Sequence, residues 1–272
     1  MNIAIVGATG NVGRKTLEIL EKKNFPITNL YLLASSKSIG KKISFRKKNY
    51  EINDLESFDF SKVKICFFAA GGKISEMFAE KAARDCLVID NSSKYRMDKD
   101  VPLIVPQVNA NDLKNIKKNI IANPNCSTAQ LVIVLKPLHE LFNIKRIVVS
   151  TYQSVSGGGK ASMDELIEQT KLVLEGKQVK SKNFTKQIAF NAIPHIDKFA
   201  NDGYTKEELK MVNETKKILD EKINLTATCV RLPISISHSE SVNIEFEKKF
   251  SLEEVREALN NFEGCKVVDE QI

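Results

Sequence analysis

The chain has 272 residues, of which 42% are hydrophobic and 28% charged, close to the averages of folded globular domains and unlike a disordered or fibrous chain. At roughly 100–200 residues per domain this length implies two domains. The formal net charge of +7 would suit nucleic acid, but the lysines are scattered and no basic stripe with aromatic residues accompanies them, so no nucleic-acid partner is expected.

Met1 leads directly into the apolar run Ile3–Val6 with no charged leader, which points to the cytoplasm. Asn2–Val6 reads as a short buried strand, followed by glycines and by Val12, Leu17 and Leu20 at helical spacing. Further strands are expected at Leu30–Ala34, Ile65–Ala69 and Leu87–Asp90, with a helix near Ile74–Arg84 between the last two. Alternating strand and helix predicts a parallel, doubly wound sheet.

Near Asn123 the pattern changes, and a domain boundary belongs there. Asn125 can cap a helix that starts at Cys126, runs through the apolar stretch Ala129–Leu135 and ends at Pro137. A longer strand follows at Ile144–Gln153, then a helix with Met163, Leu166, Thr170 and Val173 on one face, and another over Lys206–Asp220. A strand pair near Thr228–Ser235 and Ser241–Phe246 precedes a last helix, which Ser251 and Glu254 start as a capping box and Gly264 can stop. No apolar stretch approaches the ~18 residues of a membrane span. Five cysteines without a C-x-x-C pair argue against both a disulfide framework and a metal cluster; Cys66, Cys86, Cys229 and Cys265 read as small buried hydrophobes.

Two segments carry chemistry. Gly7, Gly10 and Gly13, with Thr9, Asn11 and Val12 between them, lie where a strand turns into a helix; glycine there lets the backbone approach a pyrophosphate at the helix N-terminus. At the end of the second strand, where an NAD site usually has a carboxylate, the chain has Ser36, Lys37 and Ser38. Hydroxyls and a cation suit the 2′-phosphate of NADP. In the second segment, Cys126 falls in the first turn of its helix, where the dipole favours a thiolate and lowers the thiol pKa.

Gly7–Gly13, Leu32–Ser38, Asp90–Met97, Val101–Asn109, Asn123–Thr128, Tyr152–Gly157, Phe190–Asp197, Glu207–Lys210 and Arg231–Ser239 occur in the order of the signatures of aspartate-semialdehyde dehydrogenases, and the chain resembles that family. The resemblance implies an α/β fold: a Rossmann-like NADP-binding domain over residues 1–125, then an α+β catalytic and dimerisation domain over residues 126–272. It implies that Cys126 carries an acyl group as a thioester, that His238 exchanges protons with the reacting groups, and that Gln153 holds the intermediate. Arg231 would pair with the substrate α-carboxylate, Arg96 and Lys210 with the phosphate, and Glu207 with the amino group; Ser156 and Gly157 would border the nicotinamide. The implied reaction is reduction of L-aspartyl 4-phosphate by NADPH to the semialdehyde, on the way to lysine and diaminopimelate, threonine, methionine and isoleucine, in a homodimer without metal.

The family continues beyond the last strand read here, so the chain is expected to be a C-terminally shortened member. Two other readings are an N-acetyl-γ-glutamyl-phosphate reductase, which runs similar chemistry, and a non-catalytic NADP-binding or assembly module. Arg231 and His238 are seven apart, which on one flat strand would put them on opposite faces. Pro233 or a bulge within Ser235–Ser237 is expected to bend the chain between them.

Overall fold

The computed structural model describes residues 1–269. It divides into two compact units, Met1–Ile104 with Asn111–Pro124, and Val105–Ala110 with Asn125 onward. The division therefore falls one residue before the expected boundary, and the segment 105–110 belongs with the second unit. No helix among the described residues is long and apolar enough to cross a membrane.

The first unit is built on a seven-stranded sheet. Its strands are β1 (Asn2–Val6), β2 (Asn29–Ala34), β3 (Lys42–Phe45), β4 (Lys48–Asp54), β5 (Ile65–Phe68), β6 (Leu87–Asp90) and β7 (Ile120–Ala122), in the order β3-β4-β2-β1-β5-β6-β7. All neighbours run parallel except the edge strand β3, which is antiparallel to β4. Ile3, Ala4, Ile5 and Val6 are wholly buried, as a central strand covered on both faces requires. Helix α1 (Asn11–Lys22) turns Leu17, Leu20 and Gly13 inward, while Val12, expected in that apolar stripe, is 44% exposed. Gly13 lies a helical step from Leu17 and takes the inward position. Helix α2 (Gly72–Ala83) runs between β5 and β6.

The second unit has a three-stranded sheet with β8 (Ile144–Gln153) in the centre, β9 (Asn224–Arg231) parallel to it on one side and β10 (His238–Phe246) antiparallel on the other. β9 and β10 are thus not the pair expected from their closeness in sequence: both hydrogen-bond to β8, and the chain crosses the end of β8 between them. Helices α3 (Pro106–Asn109), α4 (Cys126–Phe142), α5 (Lys160–Leu174), α6 (Lys206–Ile218) and α7 (Leu252–Asn260) complete the unit. Its core joins Leu131 and Leu135 of α4 and Met211 of α6 to Ile147, Val149, Leu225 and Ala227 of the sheet.

Three helix details depart from expectation. α4 continues through Pro137 to Phe142. Proline removes one N–H and frees the carbonyl four residues earlier; here that carbonyl, Ile133 O, accepts from Cys265 Sγ at 3.7 Å, and Cys265 is half-buried rather than a core residue. On α5 the buried face is Ser162, Glu165, Leu166 and Gln169 instead of the expected apolar stripe. Glu165 accepts from the backbone N–H of Lys182 and Asn183, and Gln169 from that of Ile188, so these polar groups organise a loop without regular structure. α7 has the expected capping box but ends at Asn260, four residues before Gly264.

Candidate active site

In the first unit a cavity of about 470 Å³ is lined by Gly7, Thr9 and Gly10 at one end and by Ser35, Ser38, Leu55 and Glu56 at the other. Gly7 has φ +83, and a Cβ on it would stand 2.8 Å from the Ala69 backbone; a Cβ on Gly13 would stand 2.4 Å from Gly7 O. Both positions need glycine for the turn to close, and an open backbone cradle results that fits a pyrophosphate. Asn11 and Val12 open α1 and do not line this cavity. Of Ser36, Lys37 and Ser38, which form a single 3₁₀ turn, only Ser38 lines it, together with Ser35 just before the turn. Arg96 lies in this unit as well, 8% exposed, with Nε donating to Asn123 O at 2.9 Å and Nη2 to Asn91 O at 3.2 Å.

In the second unit, β-sheet register assembles the other groups. Gln153 on β8 is level with Arg231 on β9 and with His238 on β10, so the three side chains leave the same face of the sheet in one row. This settles the spacing problem: Arg231 ends one strand and His238 begins another, with Ser237 at φ +84 in the crossing between them. Gly157 lies against this row, since a Cβ there would meet Arg231 Nη1 at 3.2 Å and His238 Nε2 at 3.8 Å. At the neighbouring Gly158 an alanine Cβ would stand 2.3 Å from Ser162 Oγ.

Cys126 is the first residue of α4. Asn125 caps the helix, its side chain accepting from the N–H of Ser127 and Thr128. Its own N–H donates to Glu214 Oε2 at 2.6 Å and its Nδ2 to Glu207 Oε1 at 2.9 Å. Cys126 Sγ is 3.2 Å from His238 Nε2. Gln153 Nε2 also donates to Glu207 Oε1, at 3.0 Å, and Thr151 Oγ1 donates to Gln153 Oε1 at 3.2 Å, which fixes the amide. Lys210 Nζ lies 3.0 Å from both Glu207 Oε2 and Asp197 Oδ2. Ser156 Oγ is 2.9 Å from Ser154 Oγ. Glu207, Lys210 and Glu214 are therefore the face of α6 that supports the cysteine turn. Asp197 and Ser154 were missed as site residues, although both stand inside quoted motifs.

Electrostatics alter one expectation. Cys126 as a residue is exposed, yet its thiol is held above the usual range. Burial of the sulfur among crowded neighbours is the largest cause and the Glu207 carboxylate adds to it; the N–H groups of Ser127 and Cys126 and the Arg231 charge oppose but do not prevail. The helix terminus therefore acts in the expected direction and is outweighed. Burial lowers His238 and outweighs a hydrogen bond from the ring to the Ser237 backbone; Arg231 adds to the lowering and Glu207 opposes it, so the ring favours its neutral form. Burial alone would raise Glu207, but Lys210, Gln153 and Asn125 outweigh it and keep the carboxylate below its usual range.

A glycine cradle on a parallel sheet in one unit and a cysteine–histidine pair in the other are parts that suit a nicotinamide-dependent dehydrogenase. Family models agree on both: the NAD-binding domain of semialdehyde dehydrogenases matches residues 2–116 and their dimerisation domain residues 135–271. The aspartate-semialdehyde dehydrogenase of Aquifex aeolicus is 53% identical over 98% of this chain and 80% of its own length. That of Helicobacter pylori is 48% identical over 99% and 81%. The crystal structure of aspartate semialdehyde dehydrogenase II from Vibrio cholerae complexed with ASA matches with a TM-score of 0.95 at 47% identity, over 97% of this chain and 79% of that one. An NADP-bound aspartate semialdehyde dehydrogenase from Candida albicans matches with a TM-score of 0.69 at 25% identity, over 97% and 76%. The chain belongs to the aspartate-semialdehyde dehydrogenase family. The comparisons favour this over the acetylglutamyl-phosphate alternative.

Proposed function

We propose that the chain catalyses the reversible, NADPH-dependent conversion of L-aspartyl 4-phosphate into L-aspartate 4-semialdehyde and phosphate, feeding lysine and diaminopimelate, threonine, methionine and isoleucine synthesis. The observation that carries this is Cys126 Sγ at 3.2 Å from His238 Nε2, beside the row of Gln153 and Arg231. Cys126 gives its thiol proton to His238 and attacks the acyl phosphate carbon, the carbon–oxygen bond to phosphate breaks, and a thioester remains on the sulfur. Gln153 and His238 flank that sulfur and can hold the oxygen that gains charge. Arg231 offers a planar guanidinium to the α-carboxylate, Glu207 takes the amino group, and Lys210 and Arg96 take the phosphate.

The glycine cradle of residues 7–13 holds the pyrophosphate of NADPH, with Ser35 and Ser38 toward the ribose end and Lys37 and Ser36 on the adjoining turn. When bound, NADPH supplies the hydride that reduces the thioester. Ser156 and Gly157 would border the nicotinamide. Free thiols and the absence of a membrane-crossing helix among the described residues fit the cytoplasm. The second unit supports a homodimer: the outer face of its sheet, with Tyr152 40% exposed, is left open by α4 and α6, and sedimentation velocity would show the dimer mass.

The test is NADPH formation by residues 1–272 with aspartate semialdehyde and phosphate. Cys126→Ser is expected to lower the rate by at least about 10³-fold, the scale of losing a nucleophile. Retention of full turnover by that variant would end the thioester mechanism.

A further inference from the structure

Lys210 is shared between two carboxylates: its Nζ donates to Glu207 Oε2 and to Asp197 Oδ2, each at 3.0 Å. Two of the three ammonium hydrogens are thus committed, and one is left for a ligand. Asp197 lies in the loop before α6, at φ +68, and its Oδ1 also accepts from the Lys198 N–H at 2.8 Å. It lines a cavity of about 210 Å³ together with Arg231. Burial acts against all three charges, yet each is kept. Burial would lower Lys210, but the charges of Glu207 and Asp197 and the hydrogen bonds to both hold it above its usual range. Burial would raise Asp197, but the bonds from Lys210 and the Lys198 N–H, with the charges of Lys210 and Lys206, hold it below its usual range. Glu207 is likewise kept below its own. One cation therefore stands in contact with two anions, an excess of negative charge.

We propose that Asp197 is a positioning residue for phosphate release: by sharing the Lys210 ammonium with Glu207, it keeps that group from retaining the phosphate set free when the thioester forms. This rests on the function proposed above, which assigns Lys210 to the phosphate. A lysine paired with Glu207 alone would be one half of a neutral pair, and a phosphate dianion could draw its ammonium away from that single carboxylate. With Asp197 in place the ammonium has a second anchor, and the dianion meets the excess negative charge. The substrate suffers little from this, because its aspartyl part is also held by Arg231 and Glu207. Free phosphate has lost those contacts, so a weak grip at Lys210 acts mainly on the product.

Asp197→Asn removes the charge, leaves an amide oxygen for the Lys198 N–H, and suits the backbone, since asparagine adopts positive φ as readily as aspartate. Cys126 is alkylated with iodoacetamide in the ligand-free chain at neutral pH while inorganic phosphate is titrated. The phosphate concentration that half-protects the sulfur reports phosphate held beside it. Asp197→Asn is expected to lower that concentration roughly fivefold or more, the scale of one unit charge a few ångströms away at a partly exposed site. In turnover, the KM for phosphate is expected to fall by the same factor. Asp197→Glu keeps the charge and is expected to stay within about twofold of the wild type. A loosened fold does not tighten phosphate, so damage to the structure cannot imitate the result. Unchanged or weaker protection in Asp197→Asn overturns the proposal, as does an equal gain in Asp197→Glu, which would place the effect in packing. Alkylation needs no turnover, so failure to convert aspartate semialdehyde would refute the function while leaving the protection result standing.

Discussion

Glu207 is the carboxylate that ties together the polar side chains beside Cys126. It accepts from Asn125, Gln153 and Lys210, and its negative charge raises the Cys126 thiol. Removing that charge favours the thiolate, so Glu207→Gln is expected to move the pH profile of Cys126 alkylation to lower pH, read with iodoacetamide on the ligand-free chain. A profile that stays in place or moves upward would show that Glu207 does not govern the thiol. Neither this coupling nor the raised thiol was legible in sequence, where a cysteine at a helix start carries only the sign of the dipole. The identities of Cys126, Gln153, Arg231 and His238 were legible through their motifs. Their arrangement was not, because it depends on which strand pairs with which.

Among the elements, β10 shows how burial and charge combine. Glu240, two residues from His238 on the same face, is pushed up to about 7 by burial, with the hydrogen bond from Gln130 opposing the shift. An unfolded glutamate titrates near 4.3, so the stability from keeping Glu240 protonated is complete below about pH 4 and is lost as pH rises through about 7. Glu240→Gln keeps an acceptor for Gln130 and is expected to add about 1–3 kcal/mol at pH 8, discounted for partial exposure, and little at pH 4.5. Thermal melts at the two pH values check it; an equal gain at both would refute the titration. Elements that sequence reading missed have local causes. The β3–β4 hairpin turns through Arg46 and Lys47 at φ +47 and +62, positions where Asn-Gly would have signalled the turn. Arg46 is held there by bonds from its guanidinium to Leu20 O and Phe25 O. β7 is three residues long, too short for periodicity to register.

At the scale of the whole molecule, two expectations follow from the nucleotide cradle. NADP at about 100 times its dissociation constant should stabilise the fold by ~2.7 kcal/mol, read as a rise in melting temperature. Gly13→Ala should abolish that rise and itself cost about 1–3 kcal/mol, because its new methyl meets backbone that cannot yield. A Gly13→Ala chain that NADP stabilises as well as the wild type would place the cofactor elsewhere.

The segment 105–110 belongs to the second unit, and 111–124 returns to the first. During synthesis, the first sheet therefore lacks its edge strand β7 until residue 122 has emerged, well after β6 is made. Meanwhile α3 waits for α4, against which it packs. Neither unit can be released intact by a single cut, and a growing chain stalled near residue 104 would hold β6 as an exposed edge, open to pairing with another nascent chain.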